Sequence, residues 1–236
     1  MISILIPAYN EAKRIGGTIE AIVKFFDSQK IDYEIVVAVD GTKDRTREVV
    51  ESFAKNNKRI ILSFEENRSG KGAALYRAFR SSHGSRIVFA DADNASQPEE
   101  LLKLANALDG CDVAWGTRNA RGTESGKSQP LWRYFLGRVY GWYIQFLFLI
   151  PFYDVQSGYK AFKREVLEEV FPKMKVLWME YDLELLARIL NRKYNINHVP
   201  ITWSHVEGSP SFNIVEHLSR MPFIAIKIRL ITMFEK

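Results

Sequence analysis

Cysteine occurs once in these 236 residues, at Cys111. No internal disulfide can form, and such usage suits a reducing compartment. Also missing is any apolar run of about 20 residues, the length that spans a bilayer as a helix. The nearest approaches are Val139 to Tyr153, crowded with Tyr, Trp, Phe, Leu and Ile, and Met221 to Phe234, apolar around Lys227 and Arg229. Runs of this length suit a buried or interfacial helix. The first residues, Met1 to Pro7, lack the basic flank and small-residue cleavage site of a secretory signal and read as a strand. His83, His198, His205 and His217 show no metal-ligand spacing. RNA-binding signatures, zinc-finger spacings and basic repeats are absent. The net charge is only +5, which fits an acidic small substrate or an anionic membrane surface at least as well as nucleic acid.

What remains is globular: 47% hydrophobic and 26% charged residues are enough for a packed core. Strand and helix patterns alternate five times, with strands at Ile2–Ile6, Tyr33–Val39, Arg59–Phe64, Ile87–Ala90 and Asp112–Trp115. That alternation predicts an α/β fold with a mostly parallel sheet covered on both faces. The pattern then changes. Gly116 to Pro130 reads as a loop, about 131–153 as an apolar interfacial helical segment, and Asp154–Phe162 as a short turn-prone stretch. A helix over Glu180–Arg192, a strand over Asn197–Trp203, a polar loop over His205–Phe212 and an amphipathic helix over about 213–234 complete one domain, 1–236. The five tryptophans, at 115, 132, 142, 178 and 203, read as core or interface anchors.

Chemistry concentrates where the apolar run Ile87–Ala90 ends in Asp91-Ala92-Asp93. If the extended backbone continues, both carboxylates face one side, because strand side chains repeat every second residue. Two convergent carboxylates can hold a hard divalent cation, or they can cap the helix that starts near Pro98. Asp40 at the end of the second strand can cap a helix or hold a base or ribose. Gly70-Lys71-Gly72 lacks the spacing of a Walker loop. A lysine at a helix start can still meet a diphosphate through its charge and the N–H groups there.

In order along the chain stand Pro7-Ala8-Tyr9-Asn10-Glu11, Asp40-Gly41-Thr42, Gly70-Lys71-Gly72-Ala73-Ala74 and Asp91-Ala92-Asp93. Gly116-Thr117-Arg118, Pro130-Leu131-Trp132-Arg133, the run Asp154 to Phe162 and the run Glu180 to Leu186 follow. This ordered set resembles the family-2 glycosyltransferases, in particular the dolichyl-phosphate glucose and dolichyl-phosphate mannose synthases, over nearly the whole chain. The resemblance implies a GT-A, Rossmann-like nucleotide-sugar-binding fold and inversion at the anomeric carbon. It places Pro7, Ala8, Tyr9, Glu11, Val39, Asp40, Lys71, Asp91, Ala92 and Asp93 at the donor. Asp93, with Asp91, would hold Mg²⁺ or Mn²⁺. Arg118, Arg133, Ser157 and Lys160 would meet the acceptor phosphate, and Asp93, Arg118 and Arg133 would form the catalytic set.

The expected reaction moves one hexose from a nucleotide diphosphate to dolichyl or another polyprenyl phosphate, at the cytoplasmic face of a membrane. Asn94-Ala95-Ser96 is more similar to the glucose branch, because the mannose synthases commonly carry glutamine where Ala95 stands; UDP-glucose is favoured over GDP-mannose. Val39 stands where many members have a second acid, and Pro210 where the glucose branch has lysine. Lys160 is the replacement considered for that missing cation. Three alternatives remain open: a GDP-mannose donor, a glycan hydroxyl acceptor with Asp182 or Glu180 as base, and a non-catalytic nucleotide-binding module. A membrane-anchoring subunit, or chain continuing past Lys236, is an expected partner; nucleic acid is not.

Overall fold

Alternating side chains along short β-branched strands build two separate cores. Ile4, Ile6, Ile35, Val37 and Val39 face one way, while Leu5, Val36 and Ala38 face the other, the period-two pattern of a sheet buried on both sides. The computed structural model describes residues 1–118, 141–149, 154–204 and 214–234, without the side chains of Arg118, residues 214–219 and Phe234.

Strands β1 (Ile2–Ala8), β2 (Tyr33–Asp40), β3 (Ile60–Glu65), β4 (Arg86–Phe89) and β5 (Val113–Arg118) alternate with helices α1 (Ile15–Ser28), α2 (Thr46–Asn56), α3 (Lys71–Arg80) and α4 (Pro98–Ala107). Helices α1 and α4 cover one face through Ile15, Ile19, Phe26, Leu101 and Leu104. Helix α3 covers the other through Ala74, Leu75, Ala78 and Phe79. Beyond β5 come a helical turn sequence at 141–148 (α5), β6 (Lys160–Lys163), α6 (Arg164–Val170), α7 (Tyr181–Asn191), β7 (Ile196–Ile201) and α8 (Ile214–Phe234).

The seven strands lie in the order β3-β2-β1-β4-β6-β5-β7. All neighbours are parallel except at β6, which runs antiparallel to both β4 and β5. The turn-prone reading of Asp154–Phe162 holds up to Tyr159 and is corrected from Lys160 on. Lys160, Ala161 and Phe162 form a buried central strand, although a four-residue segment with a lysine at each end carries no strand signal of its own. Its direction matters for the site. The start of an antiparallel strand lies level with the ends of its parallel neighbours, so β6 brings Ser157, Gly158 and Tyr159 to the edge where β1, β4 and β5 finish.

Helix α8 packs beside α7, with Asn191 Nδ2 donating to the Thr232 carbonyl at 2.6 Å. Met221, Ala225, Ile228 and Thr232 are buried. Phe223, Ile226, Leu230 and Met233 are 75%, 45%, 49% and 51% exposed, and at 100° per residue they lie opposite the buried set. The described part of α8 is therefore apolar on two faces, which refines the amphipathic reading. The Tyr143 hydroxyl of α5 donates to the Pro222 carbonyl at 2.9 Å, and α5 exposes Trp142 and Phe146, with Leu149 exposed just after it. Among the described residues no helix is long and apolar enough to cross a membrane.

Candidate active site

Strand β4 stops at Phe89, and the two acids after it do not continue the pleat. Residues 92–93 turn, and Asn94 adopts a positive φ of 54°, so the same-face argument of an extended strand does not hold. The turn still leaves the acids close. Burial, then the neighbouring charge of Asp91, raises the Asp93 carboxyl above its usual range. Asp93 Oδ1 accepts the Ala95 N–H at 3.1 Å. Neither acid caps α4, whose N-cap is Gln97 with no side-chain cap bond.

Each acid on this edge has a specific environment. Lys71, the first residue of α3, places its ammonium 2.8 Å from Asp91 Oδ1, with 21% and 28% of the two side chains exposed. Gly158 lies against the same carboxylate: a Cβ there would fall 2.0 Å from Asp91 Oδ2. Behind them Lys160 is fully buried, 2.7 Å from Asp182 of α7, 4.5 Å from the centre of the Trp115 ring, and bonded to the Ser157 carbonyl. Burial pushes the Lys160 ammonium below its usual value, with Asp182 opposing. Burial also works against Lys71, yet Asp91 and Asp182 outweigh it and raise that ammonium. Tyr159 takes the Ser96 N–H on its phenol oxygen at 3.0 Å; burial and then Asp91 push that phenol up.

The residues expected at the donor gather on the same edge. Pro7 and Ala8 end β1 and pair with Ala38 and Val39 of β2. Tyr9 lies under the Arg68 guanidinium, 3.9 Å from ring centre to carbon, and Trp178 is 5.8 Å from the same group. Glu11 pairs with Arg14 at 2.7 Å. Burial raises its carboxyl against that pairing, with Asp93 and Asp44 adding to the rise. Asp40 is buried and does not cap α2. Its carboxylate accepts the Ser69 and Gly70 N–H groups at 3.0 and 2.8 Å, the Ser69 hydroxyl at 2.5 Å and Arg77 at 3.3 Å. Together with the Leu177 carbonyl, which accepts the Ala73 N–H at 3.1 Å, this takes up several N–H groups at the α3 start that a diphosphate could have used. Lys71 keeps its ammonium for the acids.

The residues expected to meet the acceptor are described in part. Arg118 ends β5, its backbone in register with Ile201; its side chain and all of Arg133 lie outside the described residues, as do the segments 131–140 and 205–212. Ser157 and Lys160 are buried, and the Lys160 ammonium is turned into its ion pair. Glu180 is the N-cap of α7. Sequence reasoning passed over Gly158, Tyr159, Arg14 and Arg68. Gly158 sits inside a motif it had singled out and Arg14 is three residues from Glu11, whereas Arg68 is brought to Tyr9 only by the fold. Among the described residues no three His, Cys, Asp or Glu side chains form a metal cluster. The donor set still fits a hard cation in part: two acids near enough to repel, one of them already holding an ammonium, with oxygens of a bound diphosphate left to supply the remainder.

Residues 3–171 match the family described as Glycosyl transferase family 2. The chain belongs to that family. It is a glycosyltransferase, and its sheet and flanking helices are those of the GT-A fold. A dolichyl-phosphate beta-glucosyltransferase of Trichomonas vaginalis is 30% identical over 217 residues, covering 87% of this chain and 64% of that protein. The human dolichyl-phosphate beta-glucosyltransferase is 30% identical over 223 residues, covering 88% and 68%. The chain thus spans about two thirds of the length of these relatives. Among solved structures, glucosyl-3-phosphoglycerate synthase of Mycobacterium tuberculosis, crystallised with Mn²⁺, UDP and glucosyl-3-phosphoglycerate, superposes with a TM-score of 0.74 at 20% identity, covering 98% of this chain and 79% of that one.

Proposed function

We propose that this family-2 enzyme transfers glucose from UDP-glucose to the phosphate of dolichol or a related polyprenol, with inversion, using Mg²⁺ or Mn²⁺ held by Asp93 and Asp91. The observation that carries the acceptor class is the Lys160–Asp182 pair. A hydroxyl acceptor needs a base to take its proton. Of the two acids read as a possible base, Asp182 is buried and already shared with a buried ammonium at 2.7 Å, and Glu180 is the N-cap residue of α7. A phosphate monoester is ionised near neutral pH and needs no such base. Its oxygen forms the new bond to the anomeric carbon as the bond from that carbon to the donor's β-phosphate oxygen breaks, leaving UDP.

The chain's own residues divide the work. Tyr9, Arg68 and the end of β2 border the nucleoside. Asp91 and Asp93 would hold the cation at the diphosphate end of the donor. When bound, that cation offsets negative charge accumulating on the leaving group. Arg118 and Arg133 receive the acceptor phosphate, whose oxygens suit the guanidinium fork. Glucose rests on the names of the relatives and on Ala95. The exposed stripe of α8, flanked by Arg220, Lys227 and Arg229, and the apolar face of α5 suit the surface of an anionic membrane, where a polyprenyl chain resides. The cytoplasmic leaflet fits the reducing compartment read from Cys111.

Labelled UDP-glucose, GDP-mannose and UDP-N-acetylglucosamine, each offered with a short polyprenyl phosphate and Mn²⁺, test the reading. UDP-glucose is expected to label the lipid, EDTA to stop it, and Asp93→Asn to lower kcat by about 100-fold or more. No labelled lipid from any donor, or transfer to a soluble sugar hydroxyl instead, overturns it.

A further inference from the structure

We infer that Lys71 is a resident counter-cation for the donor acids, which must release Asp91 when a divalent cation and a nucleotide diphosphate arrive, so that the two ligands bind as a coupled pair. This rests on the donor site proposed above and adds a role for a residue of this chain.

Three observations converge on it. The Lys71 ammonium lies 2.8 Å from Asp91 and is also within electrostatic reach of Asp182 and Asp93. Asp182 is already paired with Lys160, so three carboxylates, those of Asp91, Asp93 and Asp182, face two ammonium groups and the cluster carries a formal charge of −1. Thirdly, the Asp91 carboxylate packs into the space that a Cβ at Gly158 would fill, which holds it on the Lys71 side.

A divalent cation added alone would carry this half-buried cluster to +1 and sit beside an ammonium that repels it. A diphosphate supplies about two negative charges and restores the balance. The moving part is then Lys71. Its backbone is fixed: Gly70 has a φ of +104° and a Cβ there would meet the Leu177 carbonyl, while Gly72 abuts Tyr181. Its four-carbon stem is free to swing without any backbone change, carrying the ammonium from Asp91 to the incoming diphosphate. The exchange makes metal affinity depend on nucleotide, and by linkage nucleotide affinity depend on metal equally.

The test is Mn²⁺ binding, with no turnover involved, by titration calorimetry on the wild type, Lys71→Gln and Lys71→Arg, with and without UDP. In the wild type UDP is expected to tighten Mn²⁺ binding by about tenfold or more. Lys71→Gln should tighten binding of Mn²⁺ alone by about tenfold and shrink the UDP effect, while Lys71→Arg stays close to wild type. An unchanged or weaker affinity for Mn²⁺ alone in Lys71→Gln overturns the proposal and leaves the donor-site reading standing, provided UDP still tightens Mn²⁺ binding in the wild type. A wild type that binds no Mn²⁺ even with UDP removes both. Lysine side-chain nitrogen NMR on the wild type, which does not rely on a variant's folding, should show the Lys71 resonance move on adding Mg²⁺ and UDP together. Its failure to move at saturation also overturns the exchange.

Discussion

Gly158 has no side chain, and the Asp91 carboxylate uses the space. A Cβ at this position would lie 2.0 Å from Oδ2 and 2.6 Å from Oδ1, so Gly158→Ala forces Asp91 to rotate off Lys71. The atoms that must move end a side chain and do not belong to the sheet, so the fold should survive while the site does not. The expected result is a thermal midpoint within a few degrees of wild type and a fall in kcat/KM of about 100-fold, the scale associated with a misplacement of about 1 Å; steady-state kinetics beside a melting curve checks it. A variant of near-normal activity would show that Asp91 need not stand where it does. Asp91 and Asp93 were legible as a site from their place after an apolar run. Their geometry was not, because the turn at 92–93 and the positive φ of Asn94 leave no trace in a D-x-D spacing. Asp40 was open to two readings, cap or nucleoside contact. Its actual partners, the N–H groups of Ser69 and Gly70, come from a loop far along the chain, which no local pattern announces.

At the level of elements, the five early strands and their helices announced themselves through period, whereas β6 did not. Its lysine is tolerated in the middle of a sheet only because Asp182, from α7, neutralises it; burying such a charge without a partner costs several kcal/mol. The strand signal was therefore held by another element. Helix α8 presents the opposite case. Its apolar content was plain, but whether that content faced inward or outward depended on the tertiary contact with α7. The outward stripe makes a distinct prediction. Phe223→Ser with Leu230→Ser should reduce sedimentation with vesicles containing anionic lipid by about tenfold or more. The melting temperature should barely change, since both side chains are largely exposed. Equal sedimentation of variant and wild type would remove α8 from the membrane face.

For the whole molecule, acid sensitivity follows from carboxylates tied down at both ends of the sheet. Asp44, on the site edge, is pushed up by burial. It is pulled down further by Thr46, Thr42 and the Ala12 N–H, which together hold its carboxyl at about 2 against an ordinary 3.8. Glu34, at the opposite end, is also lowered: burial raises it, but bonds from Ser3 and His83 prevail. A carboxyl lowered in the folded state stabilises fully above its unfolded value, and that contribution disappears as pH falls through the folded one. Between pH 5 and pH 2 the wild type should lose about 1 kcal/mol more stability than Asp44→Asn, the full shift being reduced for solvent screening at an exposed side chain. Urea titrations across that range measure the difference, and parallel curves would deny Asp44 the role.

The antiparallel course of β6 has one more consequence, for how such an enzyme can diversify. The chain leaves β5 at the site edge and returns to the same edge at β6, and these two strands are hydrogen-bonded neighbours. The two feet of the connection between Arg118 and Lys160 are therefore planted side by side. Lengthening a flexible connection costs only about 0.6 kcal/mol per doubling. The pairing of β1 with β2 and β4, and of β2 with β3, is left untouched. On the function proposed above, the strands β1 to β4 would stay fixed for the nucleotide while this connection varied with whatever receives the sugar.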